Sequence, residues 1–249
     1  MKTFFTDRKK LLSVSTVMLM LVVLTAVTHY YLQYDQTGYI WALAIGYFCL
    51  LIQSVSALLY GVYTKNKGAL WVGIEFLILS GLLFVSQVLA LIPLTFSVYF
   101  SIIGFALPLF FIPVIADEVI CKNGLIKKLW YVIPSAVAVV AISVIPLGNI
   151  YELSDVFHKI NYVVSALYFL FGLVLATVGL AKKKNENFCY GLLVYSLFGA
   201  VINILKFFGN TGLANKFMSV ENCGISIMLL ALFVASVPVA KNKVKHHKR

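Results

Sequence analysis

Residues 188–210 read FCYGLLVYSLFGAVINILKFFGN. Below the first turn the small and polar residues fall into one register: Ser196, Gly199, Asn203, Lys206 and Asn210 are separated by 3, 4, 3 and 4. On an α-helix that spacing lines all five along one side. An apolar helix of this length with one narrow polar side is expected to be a membrane span that turns that side toward other helices. Small residues let backbones approach there, and polar ones hydrogen-bond across the contact.

The rest of the chain supplies such partners. Of its 249 residues 61% are hydrophobic and 12% charged, with a mean hydropathy of +0.96, far from the composition of a soluble domain. A bilayer core of about 30 Å needs about 20 apolar residues in helical form. Eight runs meet that need, at 11–31, 39–62, 69–91, 93–115, 129–147, 160–180, 188–208 and 223–240. Barrel strands are about half as long and alternate strictly. The expected fold is therefore all-α: a polytopic integral membrane protein with eight transmembrane helices in one domain over 1–249. The run at 11–31 is too long for a signal-peptide core and is read as a retained first span.

The net charge of +11 is explained by where the charges lie. With the N-terminus inside, 17 of the 20 Lys and Arg fall on inner segments, and only Lys159, Lys206 and Lys216 fall on or near the other side. This positive-inside pattern places both termini in the cytoplasm and the chain in the cell (inner) membrane. It leaves no surplus to argue for nucleic acid. The expected partners are the lipid bilayer and, at the basic cytoplasmic face and the tail KNKVKHHKR, anionic lipid headgroups. A membrane-protein partner or a second copy of the chain is a further expectation.

Other spans carry similar stripes. The second shows Gly46, Cys49, Gln53, Ser56 and Tyr60, and the sixth Asn161, Ser165, Tyr168, Gly172, Ala176 and Gly179. The short KKKNEN turn makes the sixth and seventh spans antiparallel neighbours. The third contains Glu75, the sole acid within the eight runs, which at that depth needs a partner or a proton. By depth its neighbours are expected to be Ser56 and Tyr60, or Tyr190 and Ser196. Lys206 lies near the outer interface and is accounted for by snorkelling, or by an anion contact at the mouth of a cavity. No carboxylate within a predicted span lies at its depth. Outside, GNIYELSDVFHKIN gathers charge into a possible binding rim, and NTGLANKFMSVEN reads as a polar loop. His29 is expected at the outer interface. The four cysteines have no metal-ligand spacing. No catalytic or cofactor motif is present, so no metal and no cofactor are expected.

Eight spans with an acid early in the third and a polar residue late in the seventh resemble the lysoplasmalogenase-like eight-helix membrane hydrolases. In that family both positions are aspartates, in Gly-Asp and Ser-Asp contexts. Here they are Ile74-Glu75 and Ile202-Asn203. By helix count the chain is also similar to the multi-span sensor regions of bacterial signalling proteins. Three functions follow. The first is binding or transport of a small amphipathic ligand through a cavity between the second, third, sixth and seventh spans. Its lining would be Glu75, Gln53, Ser56, Tyr168, Ser196, Asn203 and Lys206. The alternatives are a lipid-modifying enzyme with altered motifs and Glu75 as proton carrier, and a membrane sensor or partner subunit.

Overall fold

A computed structural model describes residues 2–32, 37–89 and 151–234. The fourth and fifth predicted spans, the loop between them and the basic tail lie outside the described residues. Seven helices form the described part: α1 (Lys2–Thr6), α2 (Arg8–Tyr31), α3 (Thr37–Thr64), α4 (Lys67–Leu89), α5 (Tyr151–Ala181), α6 (Glu186–Phe207) and α7 (Thr211–Val234). Five of them, α2, α3, α4, α6 and α7, are long and apolar enough to cross a bilayer. The apolar part of α5 is shorter, Ser165–Ala181. No strand occurs among the described residues.

The helices end by local chemistry. Asp7 separates α1 from α2, and its carboxylate accepts from the Lys9 and Lys10 amides at 3.1 and 3.4 Å, capping α2. The turns after α3, α5 and α6 share one device: a residue in the left-handed region, Lys65 (φ 57°), Lys183 (φ 51°) or Gly209 (φ 79°). In each, the next amide reaches back five residues, Asn66 to Gly61, Lys184 to Gly179 and Asn210 to Leu205, satisfying carbonyls that a helix end leaves open. In two of them that residue is an asparagine whose side chain caps the following helix. Asn66 accepts from the Ala69 amide at 3.2 Å and Asn210 from Leu213 at 3.3 Å.

That second cap corrects the sequence reading. Asn210 is not the outer end of the α6 stripe but the start of α7, and 211–222, expected as a loop, is helical. Hydropathy alone saw only the apolar run beyond Cys223. The earlier turns are held by Ala214, Phe217, Glu221, Gly224 and Met228, spaced 3, 4, 3 and 4, a continuous face toward α6. Likewise 151–159, expected as an outer loop, belongs to α5.

The bundle is a set of antiparallel neighbours: α3 with α4, α5 with α6, α6 with α7, and α2 with both α3 and α7. Glycines set the closest approaches. A Cβ on Gly224 would lie 2.7 Å from the Tyr195 Cα, and one on Gly191 would lie 2.6 Å from the Met228 amide nitrogen, so α6 and α7 touch backbone to backbone. Gly61 and Gly73 do the same for α3 and α4.

One polar node holds α2, α3 and α7 together. The Gln53 side-chain amide donates to the Ser15 carbonyl and hydroxyl at 2.9 and 2.8 Å, and its oxygen accepts from Ser226 Oγ at 2.8 Å. All three residues are buried. Toward the basic end, where the Lys65 and Lys183 turns lie, the Arg8 guanidinium donates to the Phe233 carbonyl at 3.1 Å. At the far end Lys216 sits over the Tyr30 ring, 5.5 Å from its centre, and His29, in the last turn of α2, is fully buried against the bundle.

Two predictions follow from the packing. Gln53→Leu strands two buried serines and should lower stability in detergent by about 2 kcal/mol, read by denaturant titration. Gly224→Val forces α6 and α7 apart and should cost about 1–3 kcal/mol by the same measurement. Gly212→Ala, whose added carbon meets nothing within 4 Å, should change little.

Candidate functional site

In a bilayer each buried polar atom needs a partner within the protein, so the pattern of satisfied and unsatisfied atoms sorts the predicted site residues. Several are committed to structure. Gln53 belongs to the three-helix node. Ser56 donates to the Ile52 carbonyl at 2.8 Å, one turn back along α3. Asn203 donates to the Gly199 carbonyl at 2.8 Å in the same manner. Gly199 fits against the Phe169 ring, which has no room for another carbon there, so the stripe of α6 does face α5.

Glu75 and Ser196 differ. Glu75 is 1% exposed, and its Oε2 has no hydrogen-bond partner among the described residues. Ser196 is fully buried with its hydroxyl likewise unpartnered. Beside Glu75, the Phe76 ring meets Tyr195 edge-on at 6.2 Å, and the other side of Tyr195 meets Phe169 at 5.2 Å. Because α4 and α6 both run away from the basic end, this contact puts Glu75 and Ser196 at similar depth. Tyr168 on α5 is half-buried against the core, and the Glu75 carboxyl lies within Coulomb range of both Tyr168 and Tyr195. The Glu75 carboxyl, about 12 Å from the start of α4, thus lies at the level of Ser196, where the Phe76, Tyr195 and Phe169 rings join α4, α6 and α5.

Two expected neighbours of Glu75 are elsewhere. Tyr60 packs edge-on against Phe233 at 5.6 Å, and Tyr190 is 54% exposed. The rim residues Tyr151, Glu152, Asp155 and His158 lie on α5 with side chains outside the described ones.

The extended α7 adds a residue that the sequence reading had placed in a loop. Glu221 is a second acid inside a membrane-crossing helix, partly buried, and lies within Coulomb range of Lys206. Lys206 therefore does have a carboxylate within reach, contrary to expectation. Helical side chains lean toward their own N-terminus. In the antiparallel α6–α7 pair Lys206 therefore leans into the bundle and Glu221 leans out toward it. The signal for Glu221 was the 3–4 spacing through Phe217, Glu221 and Gly224, hidden by the low hydropathy of 209–222.

Among the described residues no three His, Cys, Asp or Glu side chains converge to hold a metal ion. The chain matches no protein-family model, no curated protein and no solved structure, so the residues themselves carry the functional argument.

Proposed function

We propose that the protein is an eight-span protein of the cell membrane, with its basic end and both termini in the cytoplasm, that binds and moves a small amphipathic ligand at Glu75. One observation carries this reading: a buried carboxyl set among apolar helices keeps an oxygen without a partner among the described residues. A charged or unsatisfied group at that depth costs about 3 kcal/mol or more, and such groups mark ion and substrate pathways. Tyr168 and Ser196 are the supporting contacts, and a ligand with a hydrogen-bond-donating head, such as a protonated amine, fits the acid. Gln53, Ser56 and Asn203 serve to hold the helices around it. Of the three functions read from the sequence, ligand binding is favoured because the unpartnered atoms lie on different helices. Packing of one helix against another does not explain them together.

Two measurements test this. A panel of primary alkylamines should contain members that raise the melting temperature of the purified protein, with the rise lost in Glu75→Gln and kept in Gly212→Ala. The reading fails if no amine shifts the wild type or if Glu75→Gln responds equally. For the orientation, with the four native cysteines replaced by serine, Lys183→Cys should react with a membrane-impermeant maleimide only in inside-out vesicles and Gly212→Cys only in right-side-out ones. The reverse pattern inverts the topology.

A further inference from the structure

The glycine contacts of the α3–α4 hairpin provide a ruler across the bilayer. Gly61 abuts the Leu70 backbone and Gly73 the Leu58 backbone, so Trp71 on α4 lies level with Tyr60 on α3. Trp41 lies 19 residues before Tyr60 on the same helix, which at ~1.5 Å of rise per residue is about 29 Å, the thickness of a hydrocarbon core. Both tryptophans are exposed, as rings at two membrane–water interfaces are. The hydrocarbon at the basic end therefore stops near Tyr60. Tyr63 lies about 5 Å beyond that level, and the exposed Lys65 and Lys67 follow it in the turn. Here α1 packs on α3. Its Phe5 ring stacks on Tyr63, centres 6.4 Å and planes 28° apart, and Phe4 meets Phe5 edge-on at 5.2 Å. Phe4 and Tyr63 stay partly open, each 38% exposed. Next to these rings begins a lane of exposed side chains on α3, Val62, Val55 and Phe48. Their interval of seven keeps them nearly in line along the helix, from the rings down into the hydrocarbon.

We propose that α1, the α3–α4 turn and the outward lane of α3 form a seat for one anionic phospholipid. Its phosphate lies against Lys65 and Lys67, its glycerol on the Phe4 and Tyr63 rings, and one acyl chain along Val62, Val55 and Phe48. The surface offers charge, then aromatic rim, then hydrocarbon, in the order in which such a lipid presents the matching parts. Two ammonium groups on one hairpin tip attract a headgroup of net negative charge, whereas the cation of a zwitterionic headgroup cancels that attraction. The acid nearest α1 does not oppose the phosphate. Asp7 accepts from the Lys9 and Lys10 amides and pairs with the Lys10 ammonium at 3.6 Å. Without the break that Asp7 makes, α1 would continue along the axis of α2 and its rings would not reach Tyr63. The seat does not depend on Glu75 or on a ligand there, and it is the same for either orientation of the chain.

The test is native mass spectrometry of the full chain in detergent with equal amounts of phosphatidylglycerol and phosphatidylcholine, read at the first bound lipid. The wild type should retain phosphatidylglycerol over phosphatidylcholine at least fivefold. Lys65→Asn combined with Lys67→Gln should bring that ratio below twofold; asparagine accepts the left-handed backbone at 65, so the turn is kept. Lys65→Arg with Lys67→Arg restores the charge and should restore the ratio. Phe4→Ser should lower retention of both lipids at least threefold. Removing two charges from another basic turn, by Lys182→Gln with Lys184→Gln, should leave the wild-type ratio. Equal retention of the two lipids by the wild type overturns the proposal, as does an unchanged ratio in the Lys65 and Lys67 pair or unchanged retention in Phe4→Ser. An equal fall in the Lys182 and Lys184 pair also overturns it, since that is the mark of a diffuse basic surface and not of a seat.

Discussion

A side-chain amide with nowhere to find water is the constraint on which this bundle depends. Gln53 lies on α3 at a depth where lipid offers no hydrogen bond, and its donors and acceptor are met only if α2 and α7 both come to it. The geometry admits one register: Ser15 and Ser226 must lie at the same level as Gln53. The node works with the Arg8–Phe233 and Tyr30–Lys216 contacts to place α2, whose Val17, Met20, Leu24 and Val27 are exposed on its other side. Once α7 is placed, its glycine contact fixes α6, and the Tyr195 ring brings α6 to α4. The position of Glu75 relative to Glu221 is thus inherited from hydrogen bonds made on other helices.

Polar residues in the bundle divide into two kinds. Ser54, Ser56, Ser80 and Asn203 donate to carbonyls four residues back on their own helices, which lets them sit in an apolar setting without any partner from elsewhere. Such residues thin the helix surface and permit close packing. Glu75 makes no such bond: its Oε2 has no partner among the described residues. That oxygen and the Ser196 hydroxyl are buried without such a bond, which separates them from the serines that bond their own helices.

The helical class, and the identity of the spans at α2, α3, α4 and α6, were legible in the sequence because twenty-residue apolar runs have one solution in a bilayer. The facing of α6 and α5 was legible too, from the stripe through Gly199 and the brevity of the turn between them. What hydropathy hid was the beginning of α7. Its first turns pair apolar residues with Asn, Lys and Glu, so an averaging window sees a loop, whereas the face toward α6 is continuous. Missing that helix meant missing Glu221, and with it the acid that Lys206 faces. Tyr195 was passed over for a different reason. It reads as one more aromatic in an apolar run, and only the meeting of α4, α5 and α6 around it shows its ring against both Phe76 and Phe169.

The turns after α3 and α5 carry lysine, not glycine, in the left-handed conformation, although a β-carbon there costs about 1 kcal/mol. A glycine at Lys65 or Lys183 would ease the backbone and delete a positive charge from a hairpin tip. On the proposed topology that charge also helps to keep the tip from being drawn across the bilayer during synthesis. Folded-state comfort and faithful insertion then pull these two positions in opposite directions.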